Sequence, residues 1–304
     1  MKRTLQLVLS ATMMGLCLTA GGLDRPKPNE LDKETLRLFT MLEGGIDPGI
    51  WGKLVDHISV HALVSAFYSD NRSVRLIALE AAGYVDSPLP LLPYLAVLMR
   101  ASDRQTASRA AASVLRNLER ISQRVEGACD VVPGQIVQLA RMLTKTASND
   151  MLAVDIRASS LQAVIMLSRF SPGCCVIPKV FLKDSKEAVR ASALSSFDVP
   201  LKDEDLSALA EMVQEDSSPM LRGQSVALLC ENALSHGVEE PSQDLTELML
   251  SVIESFDEAE SAAVLLGCLI RFKPSARAEI VEAALKNSSS SVKEYWESLS
   301  KNVE

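Results

Sequence analysis

The chain has 304 residues, 47% hydrophobic but only 4% aromatic, and its 31 basic against 39 acidic side chains give a net charge of −8. That length supports a large buried core, and a composition rich in Leu, Ala and Val suits closely stacked helices. The acidic balance excludes broad attraction to nucleic acid or to an anionic membrane face.

In chain order, residues 1–20 stand apart from the rest. Lys2 and Arg3 precede an apolar run from Leu5 to Leu18, followed by Thr19, Ala20, Gly21 and Gly22. This is the three-part pattern of a secretory signal peptide, with small residues where cleavage after Ala20 or Gly22 would occur. The run is shorter than the ~20 apolar residues a membrane span needs, and it contains Gln6, Ser10 and Thr12. No integral span is therefore expected in the mature chain. Leu16 is too bulky beside Cys17 for a lipid-attachment site. Cleavage after Ala20 removes two basic residues and leaves 29 against 39, or −10. The expected location is the periplasm or the exterior; the alternative is a cytoplasmic protein whose N-terminus is simply an apolar helix.

Residues 21–30, with Gly, Pro and charged side chains, read as a linker, and 31–58 as N-terminal capping helices beginning with Leu31–Leu42. At the end of this segment His57 and His61 are four residues apart with Asp56 alongside. Histidines at that spacing on one helix face can hold a transition metal, the weak candidate metal site of this chain. The glutamate of the metalloprotease motif does not follow the first histidine, and Ser59 offers a helix start that would break the face.

From residue 59 to 304 a phrase recurs. Asp70-Asn71-Arg72-Ser73-Val74-Arg75-Leu76-Ile77-Ala78-Leu79 returns as Asp184-Ser185-Lys186-Glu187-Ala188-Val189-Arg190-Ala191-Ser192-Ala193-Leu194. With Arg75 as anchor, the slot is filled next by Arg109, Arg157, Arg190, Arg222, Glu260 and Lys293, in steps of 34, 48, 33, 32, 38 and 33 residues. Small residues stand three places on (Ala78, Ala112, Ser160, Ala193, Ser225, Ala263) and mostly aliphatic ones four places on (Leu79, Ser113, Leu161, Leu194, Val226, Val264). A small residue beside an aliphatic one lets a neighbouring helix approach while the longer side chain fills its groove. The last unit departs, with Trp296 and Glu297 in those slots, as a terminal cap does.

A second apolar segment precedes the anchor helices, as at Pro88–Ala101, Val131–Thr146, Asp203–Glu215, Ser242–Ser255 and Ser275–Lys286. Asp103, Asp216 and Asp257 lie between the two segments as helix caps, and Pro and Gly punctuate the joins. Ser288–Ser291 reads as a turn before the last helix. No run alternates apolar and polar residues as a strand would. The expected fold is all-α.

With Val74-Arg75, Val189-Arg190 and the looser Ile156-Arg157 and Leu221-Arg222, the units from Ser59 to Ser300 resemble HEAT repeats, in particular the short bacterial kind. The resemblance implies a right-handed α-α superhelix of about seven helical hairpins and a protein-binding scaffold, although a few such arrays act on DNA or handle bilins. The basic slots Arg75, Arg109, Arg157, Arg190 and Arg222 then have two uses: a ladder gripping an acidic partner, or local pairing with cap aspartates such as Asp70, Asp103, Asp184 and Asp216, which is the favoured one.

Export also bears on the cysteines. Cys129 lies in a loop-like insertion and Cys174-Cys175 follow Pro172-Gly173 at the matching joint of the next unit. A staple from Cys129 to Cys174 or Cys175 and unpaired thiols are the two alternatives. Cys230 and Cys268 read as small core residues. Three histidines leave few members for a catalytic triad, and no phosphate loop, CxxC pair or dinucleotide fingerprint occurs. The functional expectation is an exported protein-binding scaffold without catalysis or cofactor, with a metal-binding or enzymatic protein using His57 and His61 as the rival.

Overall fold

A computed structural model describes residues 31–45, 47–86, 88–124, 133–170, 179–254, 265–286 and 290–301. Residues 1–30, and with them the expected signal peptide and linker segments, lie outside that set, as do Cys129, Cys174, Cys175 and Glu260. Among the described residues there are helices and turns but no strand. The chain divides into two compact units, 1–178 and 179–304.

In the first unit the helices are α1 (Lys33–Leu42), α2 (Pro48–His57), α3 (Val60–Phe67), α4 (Arg72–Ala82), α5 (Leu92–Leu98), α6 (Arg104–Arg124), α7 (Pro133–Ala147) and α8 (Val154–Phe170). The predicted apolar segment Pro88–Ala101 becomes a 3-10 turn, Leu89–Leu91, running into α5. Polar residues start these helices, Ser59 as expected and Asn71 in place of the neighbouring Asp70. Asp32 accepts from the Thr35 amide at 2.8 Å, Asp47 from Gly49 and Ile50, Ser59 from Ala62, and Asn71 from Ser73. Each such cap satisfies an amide that the helix leaves unbonded, at about 1 kcal/mol.

Packing in this unit follows two rows. Sequential helices pair as α3 with α4, α5 with α6, and α7 with α8, while α4 packs on α6, α6 on α8, and α5 on α7. The row α4, α6, α8 is lined by buried small residues, including Ala78, Ala82, Ala107, Ala110, Ser160 and Ala163. Small side chains bring the axes close, and Leu79, Val114, Leu118 and Val164 fill the space between.

The second unit holds a 3-10 turn, Lys179–Lys183, then α9 (Glu187–Leu194), α10 (Asp203–Glu215), α11 (Pro219–Ser235), α12 (Gln243–Glu254), a helical stretch at 265–269, α13 (Pro274–Lys286) and α14 (Ser290–Lys301). The predicted boundaries of α10 and α12 hold within a residue, and α14 takes in the last two serines of the predicted turn. Here too α10 pairs with α11, α9 packs on α11, and α10 on α12.

Candidate functional site

Four of the five arginine anchors perform one task. Arg157, only 3% exposed, donates from Nε to the carbonyl of Ala147, the last residue of α7, at 2.7 Å. Arg222 does the same to Val213 in the last turn of α10, at 2.6 Å. Arg75 donates to the carbonyls of Ser69 and Asp70 just beyond α3, and Arg190 to that of Asp184 beyond the 3-10 turn. A helix end and the turn after it leave carbonyls without amide partners, and a guanidinium one turn into the next helix, buried at Arg157 and Arg190 and half-buried at Arg75 and Arg222, satisfies them. Arg190 also forms a two-pronged pair with Asp216, both bonds at 2.8 Å, so it ties its own turn to the next. The contacts at the turns are mostly to backbone carbonyls rather than to cap carboxylates; Asp103 pairs with Arg72 instead.

Arg109 is different. Three and four residues after Arg75 and Arg157 come the buried pairs Ala78-Leu79 and Ser160-Leu161; in α6 the equivalent buried pair is Ala110-Ala111, while Ala112 is exposed. Ala107, fully buried, therefore occupies the anchor position of α6, and Arg109 lies two residues out of register. The steps of 34 and 48 residues become 32, from Arg75 to Ala107, and 50, from Ala107 to Arg157. A run of three alanines and neighbouring serines fits the repeat at more than one offset, which is how the sequence pattern settles on the arginine.

Displaced from the anchor, Arg109 faces a cluster that no local motif announces. Its guanidinium lies 3.6 Å from the Glu80 carboxylate, which also accepts from Arg116 at 2.9 Å. Arg116 stacks over Tyr84 with 4.5 Å from guanidinium carbon to ring centroid, and Trp51 of α2 meets the same ring edge-on at 5.8 Å. Arg120 donates to the carbonyls of Gly83 and Val85 and lies 3.8 Å from Asp86. Gly83 makes room for the stack: a Cβ there would fall 2.8 Å from an Arg116 terminal nitrogen. Tyr84 is 40% exposed and Arg109 38%, so the cluster opens to solvent.

The charge around this cluster runs against that of the whole chain. Helix α6 carries five arginines and one glutamate. Residues 1–178 hold 19 basic against 16 acidic side chains, or +3, and residues 179–304 hold 12 against 23, or −11.

The other sequence candidates end differently. His57 is the last residue of α2 and His61 lies in the first turn of α3, separated by extended backbone at Ile58 and Ser59, so they share no helix face. The spacing argument for a two-histidine metal site fails on that break. Among the described residues no group of three or more His, Cys, Asp or Glu side chains gathers as a metal would require. Cys230 and Cys268 are buried free thiols. Burial pushes the Cys268 thiol up to about 11 and Cys230 further still, which keeps both protonated and inert. An apolar cavity among α5, α6, α7 and α8, bordered by Leu92, Leu118, Leu139 and Phe170, measures about 30 Å³, room for one water rather than a metabolite.

Two further buried groups escaped the sequence reading. Asn117 donates to the Ala82 carbonyl at 2.9 Å, and Asn232 accepts from the Leu201 amide at 2.7 Å. Both stand ten residues after their anchors, Ala107 and Arg222, so the repeat itself is the signal that finds them. Among the described residues no helix is long and apolar enough to cross a membrane. No protein-family model matches the chain, and no curated protein matches its sequence.

Proposed function

We propose that this chain is an exported scaffold that binds other proteins, built as a HEAT-like right-handed superhelix of about seven helical hairpins and acting without catalysis. The observation that carries the reading is the row packing: α4, α6 and α8 lie side by side in one unit and α9 and α11 in the other, and an arginine anchors α4, α8, α9 and α11 at the turn before each. Rows of parallel helices expose a broad ribbon of side chains whose positions are fixed by neighbours. Such a ribbon binds by shape and by a few anchoring residues, with little room for a buried reaction centre. The basic start, apolar run and small residues of 1–20 support export to the periplasm or exterior, where a staple from Cys129 to Cys174 or Cys175 would be retained.

The test is affinity capture of the tagged full-length chain from cross-linked envelope extract, with mass spectrometry of the bait terminus and of the captured proteins. A bait beginning near Gly21 or Leu23 with one abundant partner supports both parts of the reading. A bait that retains Met1 overturns export, and a processed bait without an enriched protein overturns the scaffold.

A further inference from the structure

We infer that the cluster of Trp51, Tyr84, Arg109 and Arg116 is the docking point of the partner, and that it takes an acidic segment of a protein whose carboxylate competes with Glu80 for the two guanidinium groups. The inference rests on the scaffold reading and gives it a surface and a ligand chemistry.

The first argument is the ratio of charges. One carboxylate serves two guanidinium groups, hydrogen-bonding Arg116 at 2.9 Å and leaving Arg109 at 3.6 Å, an ion pair without a hydrogen bond. A guanidinium presents five donors in a fork that matches a carboxylate. Arg109 thus keeps donors for an incoming acid at a site that already orients its neighbour.

The second argument is the apolar surface beside the charge. Tyr84 is 40% exposed, and its ring meets both Trp51, at right angles, and the Arg116 guanidinium over its face. Tryptophan, tyrosine and arginine are the residues that dominate binding energy at protein interfaces, and they do so when held rigidly. Here Gly83 admits the Arg116 guanidinium to the ring, and Arg120 fixes the turn that carries Tyr84 by bonding two of its carbonyls. Three elements remote in sequence hold the cluster in one arrangement before any partner arrives.

The third argument selects protein over nucleic acid. A polyanion is bound through many phosphates along an extended basic track, and its affinity reports the field of the whole chain. Arg109, Arg116 and Arg120 against Glu80 and Asp86 leave a local excess of one positive charge, and the chain as a whole stands at −8. That suits one or two carboxylates on a peptide and repels a long nucleic acid.

The experiment uses the full-length chain carrying Trp296→Phe, so that Trp51 is the sole indole. The probes are a labelled peptide Glu-Glu-Leu-Glu-Glu-Leu-Glu-Glu, its counterpart with lysine for every glutamate, and a labelled oligothymidine, followed by anisotropy and by Trp51 emission. The acidic peptide is expected to bind and shift Trp51 emission, with the other two probes weak. Arg109→Ala and Arg116→Ala each weaken it by roughly tenfold, the scale of losing one charged contact at an interface. Glu80→Gln strengthens it, because the internal competitor is gone; a merely destabilised fold would move affinity the other way. Equal affinity in the arginine variants, a loss in Glu80→Gln, or preference for oligothymidine overturns the inference. Arg109→Ala is also carried through the envelope capture. A partner retained by that variant overturns this surface and leaves the scaffold standing, whereas a partner lost supports it.

Discussion

The guanidinium of Arg157 bonds the carbonyl of Ala147 at 2.7 Å while an arm of the same group reaches Asp150 at 3.0 Å, so one buried side chain closes the end of α7 and the turn after it. Arg157→Ala removes the donor and leaves the carbonyl without a partner in a dry site. The expected loss is about 2–3 kcal/mol in urea unfolding, the range for stranding a buried polar group. Arg75→Ala, at a half-buried position whose carbonyls reach water, is expected to cost about 1 kcal/mol or less. Similar losses for the two would contradict the capping role assigned to burial.

Those anchors show what the sequence makes legible. Arg75, Arg157, Arg190 and Arg222 each precede a small and an aliphatic residue at fixed spacing, because a helix that stacks on two neighbours must repeat the same narrow contact. Helix α6 hides its anchor for the same physical reason. Once the slot holds Ala107 instead of arginine, alanine at 110, 111 and 112 fits the pattern at several offsets, and only burial separates them. The Trp51, Tyr84 and Arg116 cluster was not legible at all. Its members come from two helices and the turn after α4 and meet through packing, with no spacing between them that periodicity can sense. Helix existence is local information; which exposed side chains converge is not.

Asn117 and Asn232 give a paired test of the repeat register. Each is buried ten residues past its anchor and bonds the backbone of an earlier segment, Asn117 to Ala82 and Asn232 to Leu201. Asn232→Ala strands the Leu201 amide and is expected to lower stability by about 1–3 kcal/mol. Asn232→Asp keeps the acceptor and brings a buried charge with no cation bonded to it. It is expected to be worse near neutral pH and to recover as acid protonates the carboxyl. Unfolding measured at two pH values separates the two effects.

Gly83 offers a substitution that tests position rather than stability. Its backbone is right-handed helical, with φ −74°, so alanine meets no conformational penalty there. The obstacle is Arg116: an added Cβ lies 2.8 Å from its terminal nitrogen and 3.1 Å from its Cδ. A flexible side chain yields before a helix does. Gly83 is buried, but the group that yields is the far end of Arg116, so Gly83→Ala is expected to cost about 1 kcal/mol or less, the scale of losing that side chain's ion pair and ring stack. It is nevertheless expected to displace the guanidinium from Tyr84, read as a change in near-ultraviolet circular dichroism. It also weakens the acidic peptide as Arg116→Ala does, and unchanged peptide affinity would mean that the stack is not what binds.

The two buried thiols of the second unit are expected to make its stability fall at alkaline pH. Burial raises Cys268 to about 11 from an unfolded value of 9.0, and Cys230 further in the same direction, with Cys268 adding to the effect on Cys230. A raised pKa means that the folded chain holds protons the unfolded chain releases. The contribution of Cys268 is thus complete below pH 9.0 and declines as pH rises toward about 11. Near pH 8 both thiols stay protonated, so iodoacetamide is expected to leave Cys230 and Cys268 unmodified in the folded chain and to alkylate both in urea. Cys230→Ser/Cys268→Ser removes the alkaline decline attributable to the thiols, whereas a decline of equal slope in that variant would assign it to other groups. Rapid alkylation of either residue without denaturant would show instead that the second unit opens around them on the timescale of the reaction.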